Sequence, residues 1–321
     1  MSLGRSCLKT LLLCALCLAA VEGVCRVCAW HIEKQLRELR SRPDHYYRSS
    51  QNPVLAYELD AGRVVEKEGR ALRINRFGIR DDSDEIPRAG RVIALLGDSV
   101  VFGTGFSQDE TISALLQRRL DPKGKSVRVL NFGVPGYNLP ELVEFLKLKN
   151  AIYKADTVIY LLNPNDFCRR DTLYEGADNG LYRMYRPTRW KSPWFLRKLM
   201  YRLYKRGVVS AGWYRWIYSG TRERGLESIR EMASSCKAAG SDFMVVLLPA
   251  GCAYTRETYL LKDMYDDIGS ALKEQGIRVV SPVDAFSADP RALFTDTDHL
   301  QRAGNELAAG VIALELQSGG S

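Results

Sequence analysis

The chain predicts an α/β fold built on a parallel sheet covered on both faces, and three observations carry that prediction. Short, near-continuous apolar runs recur at 91–96, 127–131, 157–162, 243–248 and 277–280. Amphipathic stretches at 111–120, 139–153, 226–239, 259–275 and 300–316 separate or follow them. Turn-forming residues, such as Gly97-Asp98 and Asn163-Pro164, mark where the apolar runs stop. A strand buried on both faces has no polar face to alternate with, and a helical crossover returns the chain for a parallel neighbour.

Taken in order, the first element is membrane-like. Arg5 and Lys9 precede an apolar run over 10–21, which has the length of a signal-peptide core. Extended to Trp30, the run includes Glu22 and Arg26, one helical turn apart and able to pair. The favoured reading of 1–30 is a retained signal anchor, with a cleaved signal peptide as the alternative. Lys34, Arg37, Arg40 and Arg42 place more positive charge after the segment than before it, so the orientation stays open. A charged linker is expected over 31–50. A small β extension follows over 51–88, where short alternating runs are broken by Gly62, Gly69 and Gly78. The remaining 89–317 forms one α/β domain, a size that commonly stays single.

That domain is interrupted over 169–225. From 181 to 222 there are 11 basic residues and no acidic one, interleaved with Tyr and Trp. Within this insertion, 193–206 reads as a helix with Leu196, Leu199, Met200 and Leu203 opposite Arg197, Lys198, Arg202, Lys205 and Arg206. Such a helix can lie in a lipid interface or cap the domain with its cations solvated. The formal net charge of +8 concentrates partly here. No nucleic-acid module accompanies it, so a membrane is the expected partner and nucleic acid is not.

Cysteine usage excludes a disulfide framework, because five of the eight lie in the first 28 residues. Cys14-x-x-Cys17 and Cys25-x-x-Cys28 have zinc-like spacing but sit among leucines and alanines, where cysteine serves as a small apolar residue; no metal is expected. No cofactor is expected either, since Gly103-Thr104-Gly105 lacks the third glycine of a dinucleotide fingerprint.

The chemistry concentrates at strand ends. The first apolar run stops at Gly97-Asp98-Ser99, which offers a hydroxyl at the carboxyl edge of the sheet. The chain has three histidines, His31, His45 and His299, and the first two precede the α/β domain. His299 is therefore the candidate base, with Asp296 three residues before it and Asp298 as the alternate acid. A serine, histidine and aspartate in these roles make an acyl-transfer site. Such a site also needs donors for the developing oxyanion. The loops 131–138 and 163–166, after the second and third runs, can supply them.

These blocks resemble the SGNH hydrolases, also called the GDSL family. Ser99 matches the serine block, Gly136 the glycine block and Asn165 the asparagine block. Asp296 and His299 match the closing Asp-x-x-His. Asn163 stands where the third block usually begins with glycine, and Val100 follows the serine where leucine is usual. The segments 52–62 and 74–80 resemble the extension of bacterial membrane-anchored members. The resemblance implies a flavodoxin-like three-layer αβα sandwich. It also implies catalysis by Ser99, His299 and Asp296, with an oxyanion hole from the Ser99 and Gly136 N–H groups and the Asn165 side chain. The expected function is a serine esterase or O-acyltransferase acting on an acylated, foremost acetylated, glycan or lipid. The expected location is the membrane, with the catalytic domain on the periplasmic side, or secretion if the first segment is cleaved. A catalytically idle anchored scaffold that binds glycan or a protein is the alternative.

Overall fold

The computed structural model describes residues 2–41, 46–168 apart from 56, 68, 88 and 89, then 190–193, 195 and 210–318. The amphipathic helix expected over 193–206 lies outside the described residues, Pro193 and Phe195 excepted. The chain divides into two compact units, Met1–His45 with Leu173–Val209, and Tyr46–Thr172 with Ser210–Ser321.

In the first unit, helix α1 (Ser2–Ser41) contains one stretch, Leu8–His31, long and apolar enough to cross a membrane. Glu22 pairs with Arg26 at 3.0 Å, as their spacing predicts. Its carboxylate also accepts the backbone N–H groups of Lys191 at 2.9 Å and Ser192 at 2.8 Å. These bonds satisfy an acid that sits among apolar neighbours.

The second unit is a three-layer α/β domain. Two small antiparallel pairs come first: β1 (Tyr47–Ser49) with β2 (Tyr57–Leu59), and β3 (Val64–Lys67) with β4 (Arg70–Arg73). Five parallel strands follow: β5 (Arg91–Gly97), β6 (Val127–Gly133), β7 (Thr157–Leu162), β8 (Asp242–Leu247) and β9 (Arg278–Val280). The spatial order β6-β5-β7-β8-β9 is that of flavodoxin-like folds. Each predicted run thus becomes a strand, with ends shifted by at most two residues.

Alternation along these buried strands divides the core. Ile93, Leu95, Ile159, Leu161, Met244 and Val246 face a cluster with Ile112, Leu116, Ala309 and Ile312 of α3 (Ile112–Leu120) and α9 (Arg302–Ser318). On the opposite face, Phe132 meets Phe145 of α4 (Leu139–Tyr153) edge-on and Tyr153 at a tilt. Helix α4 begins where the sequence predicts because Asn138 and Glu141 form a capping box around Pro140.

One helix is longer than its pattern predicts. α5 spans Ser210–Ala238 rather than starting at residue 226, because Ala211, Tyr214, Ile217 and Tyr218 extend its buried face by four turns. Packing overrides the weak helix propensity of Gly220 and Gly225 within it.

Candidate active site

Strand β5 ends at Gly97, and Asp98 caps the four-residue helix α2 (Ser99–Phe102), its Oδ1 accepting the Val100 N–H at 3.0 Å. Ser99 therefore opens a helical turn. No protein acceptor for its backbone N–H occurs among the described residues. The sheet order reverses between β5 and β7, so Ser99 lies at the switch point where open α/β sheets leave a crevice.

His299 arrives from the loop ahead of α9. Asp296 shapes that loop: its Oδ1 accepts the backbone N–H groups of Asp298 at 2.9 Å and His299 at 2.8 Å. Its Oδ2 lies 2.8 Å from His299 Nδ1, and His299 Nε2 lies 2.9 Å from Ser99 Oγ. The Ser99 hydroxyl also sits 3.4 Å from Asp98 Oδ2, a longer and weaker alternative. With Nδ1–H donating to Asp296, Nε2 is free to accept the hydroxyl proton.

Electrostatics favour that tautomer. Partial burial alone would raise the Asp296 carboxyl, but the His299 ring and two backbone donors outweigh it and hold the group well below the usual range. Burial alone would lower the His299 pKa. Its bond to Asp296, together with the charges of Asp296, Asp98 and Asp298, raises it above the ordinary 6.5.

Asp298, the alternate acid, does not hold the imidazole. It is buried and accepts a short hydrogen bond from the Tyr214 hydroxyl of α5. Burial pushes its carboxyl up to about 6 despite that bond. Tyr214 escaped the sequence reading because its helix was expected to begin at residue 226, and it meets the loop 84 positions away.

The two remaining blocks stand at the neighbouring strand ends. Gly133, at the end of β6, has no room for a side chain, because an added Cβ would overlap the backbone of Phe102 in the Ser99 turn. Three residues on, Gly136 has φ +78°, a conformation costly for other residues, and its N–H has no protein acceptor among the described residues. Asn165 sits in the 3₁₀ turn Pro164–Phe167 after β7, and its Nδ2 donates to Asp98 Oδ2 at 3.1 Å. Asn163, in the place of the usual glycine, is extended at φ −103° and caps the Asn165 N–H, so its departure from the pattern strains nothing.

The β extension supplies a second layer that sequence reasoning missed. Arg80 is 1% exposed; its Nη1 donates to the carbonyls of Phe102 at 2.9 Å and Gly103 at 2.7 Å, closing the Ser99 turn. Tyr57 donates from its hydroxyl to Pro135 O, and Tyr137 returns a bond to Tyr57 O, which fixes the Gly136 loop. Among the described residues no group of His, Cys, Asp and Glu side chains has the geometry to hold a metal ion.

The sequence model of the GDSL-like lipase/acylhydrolase family matches residues 95–307. Solved structures align over most of the chain at low identity. One titled TesA aligns at 16% identity and TM-score 0.47, covering 71% of this chain and 99% of its own. A G-D-S-L family lipolytic protein from Desulfitobacterium hafniense aligns at 15% and 0.44, over 70% and 99%. A catalytic mutant of Axe2, an acetylxylan esterase from Geobacillus stearothermophilus, aligns at 15% and 0.46, over 72% and 96%. A comparison with curated proteins returns no match.

Proposed function

The chain belongs to the GDSL-like lipase/acylhydrolase family, and from that premise we propose a membrane-anchored serine esterase or O-acyltransferase that uses Ser99, His299 and Asp296 on an acylated glycan or lipid. The observation that carries this reading is the continuous hydrogen-bonded line from Ser99 Oγ through the His299 ring to Asp296, with links of 2.9 and 2.8 Å.

In this reading His299 Nε2 takes the Ser99 proton as Oγ attacks the ester carbonyl. The carbonyl oxygen gains the negative charge and meets the N–H groups of Ser99 and Gly136 and an amide hydrogen of Asn165. Asn165 Nδ2 carries two hydrogens and donates to Asp98 Oδ2, beside the Ser99 hydroxyl. The C–O bond then breaks, and the alcohol leaves with the proton from His299. Water or a second alcohol repeats the sequence on the acyl-enzyme, and access alone separates hydrolysis from transfer. The apolar stretch Leu8–His31 supports the anchor, which would keep the catalytic unit at the membrane's outer side.

Two results are expected. On p-nitrophenyl esters of increasing length, steady-state kinetics should give the highest kcat/KM for the acetyl ester; a maximum at long chains would move the substrate class to lipid. The pH dependence follows from the base. His299 must be neutral to accept a proton, so kcat/KM should rise with pH through a midpoint above 6.5. Asp296→Asn removes the main group holding that pKa up, so the midpoint should move lower as kcat falls.

A further inference from the structure

An open cavity of about 820 Å³ adjoins the triad loop, and Asp296 forms part of its wall. An acetyl group needs a small fraction of that space, whereas pockets for sugar-sized and drug-sized ligands span about 300–1,000 Å³. One wall is aromatic. Tyr254 and Phe294 lie 6.1 Å apart between ring centroids, and Tyr254 is held by its hydroxyl bond to Val283 O at 2.7 Å. Phe294 is buried in the core behind this wall, and the half-buried Tyr254 ring is the apolar face suited to the C–H face of a sugar.

The polar lining is asymmetric. Asp289 accepts the Ala292 N–H as the cap of α8 (Pro290–Leu293), and Asp296 takes the backbone N–H groups of Asp298 and His299 besides the His299 ring. The other two charged residues lining the cavity, Arg256 and Arg291, are exposed and have no carboxylate within ion-pair distance among the described residues. The carboxylates of the cavity are thus occupied by protein donors, while its guanidiniums have their forked donors available.

We infer that this cavity is a subsite for a sugar unit bearing an oxyanion, a carboxylate or a phosphate, with Arg256 and Arg291 as its recognition groups and Tyr254, backed by the buried Phe294, as its platform. Asp296 stands one imidazole ring and two hydrogen bonds from Ser99 Oγ. A sugar held there would be a near neighbour of the unit whose ester reacts. The link to turnover rests on the proposed role of Ser99, but the binding does not.

The test is isothermal titration of the full-length wild type with three unacylated ligands: trigalacturonate, glucose 6-phosphate and neutral xylotriose. One of the two anions is expected to bind at least about tenfold tighter than xylotriose, and which one identifies the anion. The double variant Arg256→Ser, Arg291→Ser should lose that preference; both positions are exposed, and an unchanged thermal melt verifies its fold. Equal binding of all three ligands, no binding, or a preference kept by the folded double variant overturns the subsite. Hydrolysis of p-nitrophenyl acetate by the same preparation reports on Ser99 separately, so failure of the subsite and failure of the esterase reading are told apart.

Discussion

Replacing Ser99 with alanine is expected to lower ester turnover by about 10⁶-fold, the scale seen when a nucleophile is removed from a coupled triad. The size of the loss follows from the covalent route. Without Oγ no acyl-enzyme forms, and His299 has only water to activate, in a geometry built around a hydroxyl 2.9 Å away. The oxyanion donors remain, so a residue of catalysis of about 10³–10⁴-fold over water should persist. The fold should be untouched, because the Oγ is engaged with His299 and Asp98 and not with the capping bonds that form the turn. Steady-state kinetics on p-nitrophenyl acetate, beside a thermal melt matching wild type, checks both halves.

The second large effect is on stability. Arg80→Met is expected to destabilise the catalytic unit by about 3–5 kcal/mol, because each buried acceptor left without a donor costs about 1–3 kcal/mol. Three carbonyls, those of Phe102, Gly103 and Phe106, and the side chain of Gln108 lose their donor together. Burial lowers the Arg80 pKa to about 10, yet the group stays charged at neutral pH, so these are charge-assisted bonds. Phe102 would also lose the guanidinium that lies 5.1 Å from its ring centroid. Urea denaturation followed by circular dichroism measures the change. The loss should carry into activity, since the bonds close the turn that begins at Ser99.

The five parallel strands and the helices α3, α4 and α9 were legible because each was encoded locally. Continuous apolar runs gave the five parallel strands. The candidate triad was legible for a different reason: with three histidines in the chain, His299 was the one available within the domain. What stayed hidden depends on contacts between distant segments. Arg80 reads as an ordinary surface cation until the turn after Ser99 supplies carbonyls around it. Tyr57 and Tyr214 carry no local pattern, and their partners Pro135 and Asp298 lie 78 and 84 positions away. The choice of Asp296 over Asp298 rested in the sequence on the Asp-x-x-His resemblance alone, without its physical reason. It turns on which carboxylate the loop folds towards the imidazole, and Asp298 is drawn away into a buried bond with Tyr214.

A Ser99 oxygen activated by His299 attacks an electrophilic phosphorus as it would an acyl carbon. Treatment of the full-length protein with a fluorophosphonate, followed by peptide mass spectrometry, reads that reactivity out. A single adduct on the peptide carrying Ser99, absent from the folded Ser99→Ala variant and strongly slowed in His299→Ala, is the predicted result. An unmodified Ser99 in folded wild-type protein would contradict the account.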